Sequence, residues 1–181
     1  SSDAGPLTLV QADMRNFSMD LDKRFKLVII PFRGFLSLLT VEDQIATLLN
    51  AKRYLASNGK LIFNIFVPDL NMMVQEGDVP YHLRDVTDPD TGSRSVIWHQ
   101  SSYDNHTQIM NARVIVEELD DGGTVARRTY RDFQLRYVHR WEMHHLLGIC
   151  GYEIFDLYGY FDRTPFDETS TEMVWVAGIN G

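Results

Sequence analysis

The stretch "FKLVIIPFRGFLSLLTVEDQIATLLNAKRYLASNGKLIFNIFV", residues 25–67, determines the fold class that the sequence predicts. It begins with an almost wholly apolar run, which is typical of a central parallel strand covered on both faces. A helix follows, with Thr40 as N-cap and apolar residues at helical spacing, and Asn58-Gly59 predicts its end with Gly59 in the left-handed conformation. Residues 60–67 form a second strand. Strand, helix and strand joined by short links predict a right-handed βαβ unit with parallel strands.

The segments on either side extend this unit into a larger sheet. Before it, "LTLVQA" (residues 7–12) predicts a strand that ends at Asp13. After it, residues 93–138 hold three extended stretches separated by turn signals, which predicts an antiparallel meander with one wet face. The tail, "RWEMHHLLGIC" followed by "YEIFDLYGY" and "TEMVWVAGI", predicts a helix and two final strands. We therefore expect one α/β domain, with residues 7–85 and 139–181 in a mostly parallel sheet and residues 93–138 inserted as an antiparallel cap.

Length and composition limit the classes of protein. The 181 residues suggest a single domain large enough to bury a core, and the net charge of −8 argues against binding to nucleic acid or to an anionic membrane. No apolar run reaches transmembrane length. Cys150 is the only cysteine, so no intrachain disulfide is possible, which fits a reducing compartment. We expect a cytoplasmic protein in which Cys150 is a small buried hydrophobe.

Common catalytic and metal-binding motifs do not occur in the sequence. Six histidines are present, but in "HRWEMHH" His139 and His144 are five residues apart and do not share a helix face, so the sequence predicts no metal site. There is no G-x-S-x-G, P-loop or G-x-G-x-x-G motif. The acidic pairs in "DPD" and "DD" lie in turns, where they form local hydrogen bonds. With these motifs absent, the remaining candidates for a functional site are residues at the tips of the strands.

Strand tips are where ligands bind in open α/β sheets, beyond the carboxyl ends of the strands. In this chain those ends carry Asp13-Met14, Pro31-Phe32 and Asn64. A carboxylate at such a tip accepts a hydrogen bond from an exocyclic amine, and the next backbone N–H donates to a ring nitrogen, so the pair recognises the edge of an adenine. The alternative is that Asp13 only caps a turn, and spacing alone leaves both interpretations open.

Three segments together resemble class I S-adenosylmethionine-dependent methyltransferases, in particular small-molecule N-methyltransferases. They are "LVQADMRNF", the βαβ stretch quoted above and "FQLRYVHRWEMHHLLGICGYEIFDLYGYFDRTPFDETSTEMVWVAGI". The resemblance implies that S-adenosylmethionine is held by Asp13, Met14 (through its N–H), Ile30, Pro31 and Phe32. The residues that it places near a small-molecule acceptor are Phe35, Arg136 and Tyr137. For Arg136 and Tyr137 the alternative is an ordinary ion pair and a packed ring, and no catalytic base is assigned.

Two strands that precede the Asp13 strand in this family have no counterpart in the sequence, because only six residues come before Leu7. In the family, the first of them carries a glycine-rich loop beside the cofactor, and the second carries an acidic residue that binds the ribose. The resemblance therefore implies a Rossmann-like methyltransferase sheet that lacks its first two strands. We expect this chain alone to bind S-adenosylmethionine weakly or not at all. A non-catalytic binding or oligomerisation module is the alternative function.

The same difference leaves one edge of the strand at residues 26–30 without a neighbour. This edge is apolar and carries little of the charge or proline that protects edge strands. Either residues 7–12 pair directly with it, or a second copy of the chain covers it. Because the link between the two strands has little helical character, we expect the second outcome, a homo-oligomer formed through this edge.

Overall fold

The computed structural model describes residues 7–19, 24–74, 77 and 79–179, which form two four-stranded sheets and a few helices. The elements in chain order are β1 (Phe25–Ile30), a 3₁₀ helix (Gly34–Ser37), α1 (Val41–Tyr54), β2 (Leu55–Phe66), α2 (Leu70–Met73), β3 (Tyr81–Thr87), β4 (Arg94–Asp104), β5 (Ile109–Leu119), β6 (Val125–Arg136), α3 (Arg140–Ile149), β7 (Glu153–Tyr158) and β8 (Glu172–Gly178). No helix formed by these described residues has the length and apolar content needed to cross a membrane.

The first sheet has the strand order β1-β2-β8-β7. β1 and β2 are parallel and are joined through α1, so the predicted βαβ unit is confirmed, as is the α/β fold class with an antiparallel insertion. β8 is antiparallel to both of its neighbours, β2 and β7. Because β7 runs in the same direction as β1 and β2, the predicted mostly parallel sheet is confirmed, with β8 as its one reversed strand. The chain reverses direction in residues 159–171 and returns beside β7, which a short apolar pattern cannot reveal.

The predicted start of α1 agrees with the structure, but its predicted end does not. At the start, the Thr40 side chain accepts a hydrogen bond from the Asp43 N–H at 3.1 Å, as expected of an N-cap. At the other end the helix stops at Tyr54 and passes directly into β2, and Asn58, not Gly59, adopts the left-handed conformation, with φ 60°. Gly59 is needed for close packing instead, because a Cβ there would lie 2.9 Å from the Phe25 carbonyl oxygen.

Residues 7–12 do not form the predicted strand. They have no regular structure, and Leu7, Leu9 and Val10 are exposed. An isolated strand leaves its backbone groups unpaired, and within the described residues no strand lies beside this segment or on the second edge of β1. The strand prediction is wrong for this chain because a strand depends on a partner as well as on its own sequence.

The second sheet is an antiparallel meander with the order β3-β4-β5-β6. The three predicted strands are confirmed as β4, β5 and β6. β3 was not expected, because all of its residues are exposed and it lacks a regular apolar face. Since β3 pairs with β4, residues 81–85 belong to the antiparallel sheet, and the predicted boundary that placed them in the α/β part is wrong.

The main core lies between the first sheet and one face each of α1 and α3. Its largest fully buried side chains include Phe35, Leu48, Phe63, Met143, Leu147 and Trp175. Cys150 is buried in this core, as predicted, and burial raises the pKa of its thiol. Trp141, near the start of α3, is exposed and takes no part in this core. A smaller cluster packs the antiparallel sheet against Phe66 at the end of β2.

Candidate functional site

A tight turn follows residue 12 and presents Asp13. The Asp13 carbonyl oxygen accepts hydrogen bonds from the N–H groups of Asn16 and Phe17, at 3.2 and 2.9 Å. Its carboxylate accepts from the Arg15 N–H at 2.9 Å and from Arg15 Nη2 at 2.6 Å. The hydrogen bonds from the Arg15 side chain, and then from its backbone, lower the pKa of Asp13 to about 2. Asp13 is therefore ionised at neutral pH and acts only as a hydrogen-bond acceptor.

A pocket of about 440 Å³ opens beside this turn. Its lining residues are Ala12, Asp13, Met14, Arg15, Ser37, Leu38, Leu39 and Asp43. Within the described part of the chain the Met14 N–H makes no hydrogen bond. An ionised acceptor therefore lies next to a free backbone donor at the mouth of a pocket, which is the arrangement that fits the amino group and ring nitrogen of an adenine edge. Arg15 already donates hydrogen bonds to both carboxylate oxygens of Asp13, so it competes with such a ligand for these acceptors.

The tip of β1 has a strained backbone. Phe32 and Arg33 both have φ 57°, and neither is glycine. Left-handed conformations of such residues cost about 1–3 kcal/mol each and persist only where surrounding contacts hold them. Such strain is common at ligand-binding sites.

A buried carboxylate supplies those contacts. The Arg33 side chain donates to Glu172 Oε1 through Nε, at 2.8 Å, and through Nη2. Asn64 Nδ2 donates to the other oxygen, Glu172 Oε2, at 3.1 Å, and Asn64 Oδ1 accepts from the Arg33 N–H at 3.3 Å. The Arg33 guanidinium also lies 5.4 Å from the centre of the Phe66 ring. The three polar side chains thus connect the tips of β1, β2 and β8 and fix the Phe32–Arg33 turn.

A second pocket, of about 610 Å³, lies at this turn. It is lined mainly by apolar side chains, and its residues are Ile29, Ile30, Pro31, Phe32, Arg33, Ile62, Phe63, Asn64, Phe161 and Val174. The predicted cofactor residues Ile30, Pro31 and Phe32 all contribute to it. Phe32 is almost fully exposed, and Phe161 reaches the same pocket from the loop between β7 and β8.

The predicted acceptor residues lie elsewhere. Phe35 is fully buried in the core, with its ring centre 5.1 Å from that of Phe63, so the prediction that it faces an acceptor is corrected. Arg136 is buried and donates from Nη2 to Glu142 Oε1 at 2.7 Å and from Nη1 to Gln44 Oε1 at 3.2 Å. These bonds join β6, α3 and α1, which corresponds to the ordinary ion pair named above as the alternative.

Tyr137 is likewise buried at the junction of the two sheets. Its hydroxyl donates to Asn105 Oδ1 at 2.9 Å, and its ring contacts Tyr103. Burial, with a smaller contribution from the Asp104 carboxylate, raises the pKa of Tyr137. Neither Tyr137 nor Arg136 lines the two pockets described above, so an acceptor role for them stays a prediction without structural support.

Sequence reasoning missed Arg33, Glu172 and Phe161 as members of the site. Asn64 was noted as a strand tip, and it offered a signal because it is a polar residue inside the apolar run "LIFNIF". Glu172 offered the same kind of signal at the start of the fully buried strand β8. Their pairing was not readable, because Arg33 and Glu172 lie 139 positions apart.

Metal coordination has no candidate in the part of the chain that the structure describes, where no three His, Cys, Asp or Glu side chains lie together. The histidine-rich segment makes aromatic contacts instead. His139 contacts the Tyr137 ring, and His144 contacts Trp141.

The fold is similar to that of solved S-adenosylmethionine-dependent methyltransferases. The CcbJ methyltransferase from Streptomyces caelestis is 22% identical, with a TM-score of 0.77 over 94% of this chain and 66% of that chain. A S-adenosylmethionine-dependent methyltransferase from Clostridium acetobutylicum is 12% identical, with a TM-score of 0.75 over 95% and 64%. CalS10, an amino pentose methyltransferase from Micromonospora echinaspora solved with bound S-adenosylmethionine, is 19% identical, with a TM-score of 0.69 over 92% and 62%. No protein-family model and no curated protein matches the chain.

These comparisons confirm the predicted resemblance at the level of the fold, which is that of class I methyltransferases. The chain spans about two thirds of the length of these solved structures or slightly less, from 62% to 66%. About one third of each neighbour therefore has no counterpart in this sequence.

Proposed function

We propose that the protein transfers a methyl group from S-adenosylmethionine to a small-molecule acceptor, and that this chain supplies part of the cofactor site. The observation that carries the proposal is the ionised Asp13 carboxylate beside the free Met14 N–H, at a pocket on a methyltransferase fold. The cofactor supplies an activated methyl group, which leaves in an in-line displacement. The main task of the protein in such a reaction is to hold the two reactants in line.

The Asp13 turn is proposed to bind the adenine. An ionised carboxylate accepts from the 6-amino group, while the Met14 N–H donates to the neighbouring ring nitrogen. A 6-oxo purine presents an acceptor and a protonated ring nitrogen at these two positions, so both hydrogen bonds would be lost. The turn therefore favours adenine over hypoxanthine or guanine.

The tip of β1 is proposed to line the methionine part of the cofactor through Ile30, Pro31 and Phe32. These residues form one wall of an apolar pocket, which suits a thioether chain. The rings of Phe32 and Phe161 border the same pocket, and aromatic faces attract a sulfonium cation. The Arg33–Glu172 pair supports this wall by holding the strained turn in place.

The acceptor is proposed only as a small molecule. CalS10 is named as an amino pentose methyltransferase, and another neighbour, KedS8, as a sugar N-methyltransferase. With Phe35 in the core and Arg136 in a buried ion pair, no described residue is assigned to the acceptor. A cytoplasmic location also stays a prediction, supported by the single, buried Cys150.

A second candidate function, a non-catalytic oligomerisation module, is favoured by the open edge of β1. Phe25, Leu27 and Ile29 on this strand are exposed, and no described strand pairs with its outer edge. A homo-oligomer formed through this edge is compatible with either function. The two functions differ in cofactor binding, which only the methyltransferase requires.

The experiment that tests the proposed function replaces Asp13 in a version of the protein that binds S-adenosylmethionine. Asp13→Ala is expected to weaken cofactor binding by about 1–3 kcal/mol, the effect of a lost hydrogen-bond partner. Asp132→Ala is the matched control, because Asp132 forms a similar carboxylate pair with Arg113 in the antiparallel sheet. Unchanged affinity in Asp13→Ala, with unchanged thermal stability, would leave Asp13 as a turn cap and would contradict the proposal.

A further inference from the structure

The Asp13 turn is anchored by α1, although the described residues before it, 7–12, form no strand. Asn50 Nδ2 donates to the Phe17 carbonyl oxygen at 3.1 Å and to the Met14 carbonyl oxygen at 3.4 Å. The Tyr54 hydroxyl accepts from the Met19 N–H at 3.0 Å. The Phe17 ring also stacks on the Tyr54 ring, with centres 5.0 Å apart and planes 22° from parallel.

The spacing of the two anchoring residues matches the segment that they hold. Asn50 and Tyr54 are four residues apart on one face of α1, which corresponds to a rise of roughly 6 Å. Their contacts are with Phe17 and Met19, which are two residues apart and span at most roughly 7 Å. The helix therefore holds residues 17–19 at two points in register.

Asn50 has no packing reason to be polar. It is 4% exposed, and its Oδ1 has no hydrogen-bond partner within the described structure. Burying an amide with one unpaired atom is unfavourable, and a leucine of similar size would avoid that penalty. The two carbonyl groups that its Nδ2 binds give this amide a local role at the turn.

The anchored turn fixes the direction of the Met14 N–H. The Asp13 carbonyl oxygen points into the turn, where it accepts from the N–H groups of Asn16 and Phe17. In a trans peptide the N–H points opposite to the carbonyl of the same unit, so the Met14 N–H must point out of the turn. Because Asn50 binds the Phe17 carbonyl group, it stabilises the residue that closes this turn.

We propose that Asn50 and Tyr54 are positioning residues that hold the Asp13–Met14 turn in its adenine-recognising shape before any ligand binds. This inference rests on the proposed function, since it assigns to the turn the recognition of an adenosyl group. A turn ordered in advance binds more tightly because less conformational freedom is lost on binding. The pair acts only through the backbone at Asp13 and Met14 and does not itself touch the ligand.

The first arm of the test uses the free chain and needs no ligand. Asn50→Leu and Tyr54→Phe are compared with the wild type by amide hydrogen exchange. The matched control is Tyr152→Phe. It removes a buried hydroxyl that donates at 2.8 Å to the carbonyl group of Leu48, a residue of α1 like Asn50 and Tyr54. Protection of the Phe17 amide is expected to fall by about tenfold in the two variants, the effect of one lost hydrogen bond, and to stay unchanged in the control. Equal protection in all four proteins would overturn the proposal.

The second arm measures recognition by following the Met14 amide in an NMR titration with adenosine, with inosine as the matched ligand. Adenosine is expected to shift this signal and inosine is not. The dissociation constant for adenosine should rise by about tenfold in Tyr54→Phe, which keeps the stacked ring and therefore the fold. Wild-type affinity in Tyr54→Phe and in Asn50→Leu would overturn the positioning role.

The two arms separate this inference from the proposed function. If adenosine leaves the wild-type Met14 signal unchanged, the adenine site is contradicted, and with it the ligand-recognition part of the inference. The exchange arm then still decides whether Asn50 and Tyr54 hold the turn, because it depends on no ligand.

Discussion

β1 and β8 have similar apolar sequences but opposite environments. "MVWVA" in β8 is buried throughout, because the strand lies between β2 and β7 in the middle of the sheet. "FKLVII" in β1 is largely exposed, because β2 covers one edge and no described strand covers the other. The contrast shows that an apolar strand sequence indicates a strand suited to burial. It does not show whether the described chain supplies the neighbouring strands that would bury it.

The two ends of the proposed cofactor site, at the tip of β1 and at the Asp13 turn, also differ in how much of the structure supports them. The wall formed at β1 is supported from the β8 side by the buried Glu172. At the other end of the proposed site, the described residues provide the turn at Asp13 and its anchor on α1, and about one third of each neighbouring methyltransferase has no counterpart in this sequence. We therefore expect the β8 side of the proposed site to be well supported and the Asp13 side to be less well supported.

The largest expected effect concerns stability. Ile65→Ala in β2 should lower the free energy of unfolding by about 2–5 kcal/mol, because it removes a fully buried side chain and leaves a cavity. Ile29→Ala makes the same chemical change in β1, where the side chain is 55% exposed, and should cost less than about 1 kcal/mol. Urea unfolding at a concentration where the chain is monomeric measures both. Equal losses would show that Ile29 is covered and would remove the contrast.

The next effect concerns association. Wild-type protein at micromolar concentration is expected to form a homo-oligomer by light scattering, and Leu27→Lys should weaken association by about tenfold, because a charge protects an edge strand. Leu83→Lys on β3 is the control, since Leu83 is 49% exposed and Leu27 is 48% exposed. A wild-type monomer with protected amides along β1 would contradict this prediction and would show that the chain covers its own edge.

The smallest effect concerns the charge of Asp13. Its pKa of about 2 is expected to rise toward 3.8 in Arg15→Ala, because hydrogen bonds from Arg15 stabilise the ionised form. A carboxyl group with a lowered pKa stabilises the folded state fully above the unfolded value of 3.8, and this contribution is lost as the pH falls from 3.8 to about 2. An NMR titration of the Asp13 carboxyl carbon measures the pKa. A value that stays near 2 without Arg15 would assign the shift to another cause.

The parts of the fold that depend on local pattern could be predicted from the sequence. Thr40 as N-cap, β1 and the three long strands of the meander follow from signals within a few residues of each position. Residues 7–12 and β3 could not be predicted, because whether a segment becomes a strand depends on a partner distant in the sequence. The pair Asn58-Gly59 did give a local signal for a left-handed residue, but not for its place at Asn58 within an irregular strand pairing.

The candidate site divides in the same way. Asp13 and Met14 were predicted from the rule that ligands bind beyond strand tips; they line a pocket although residues 7–12 form no strand, and their contact with a cofactor stays a prediction. The contact between Arg33 and Glu172 could not be predicted, because it depends on β8 lying beside β2. Phe35 was misassigned, because an aromatic residue beside a strand tip has the same sequence pattern whether it faces a ligand or the core.

The central claim is that this chain carries an incomplete S-adenosylmethionine site, and a calorimetric titration of the chain with S-adenosylmethionine tests it most directly. We predict no binding or a dissociation constant weaker than about 10 μM, because about one third of each neighbouring methyltransferase has no counterpart here. Saturable binding with a dissociation constant of about 10 μM or tighter, roughly −7 kcal/mol or more favourable, would contradict the claim and show that the chain forms a complete site.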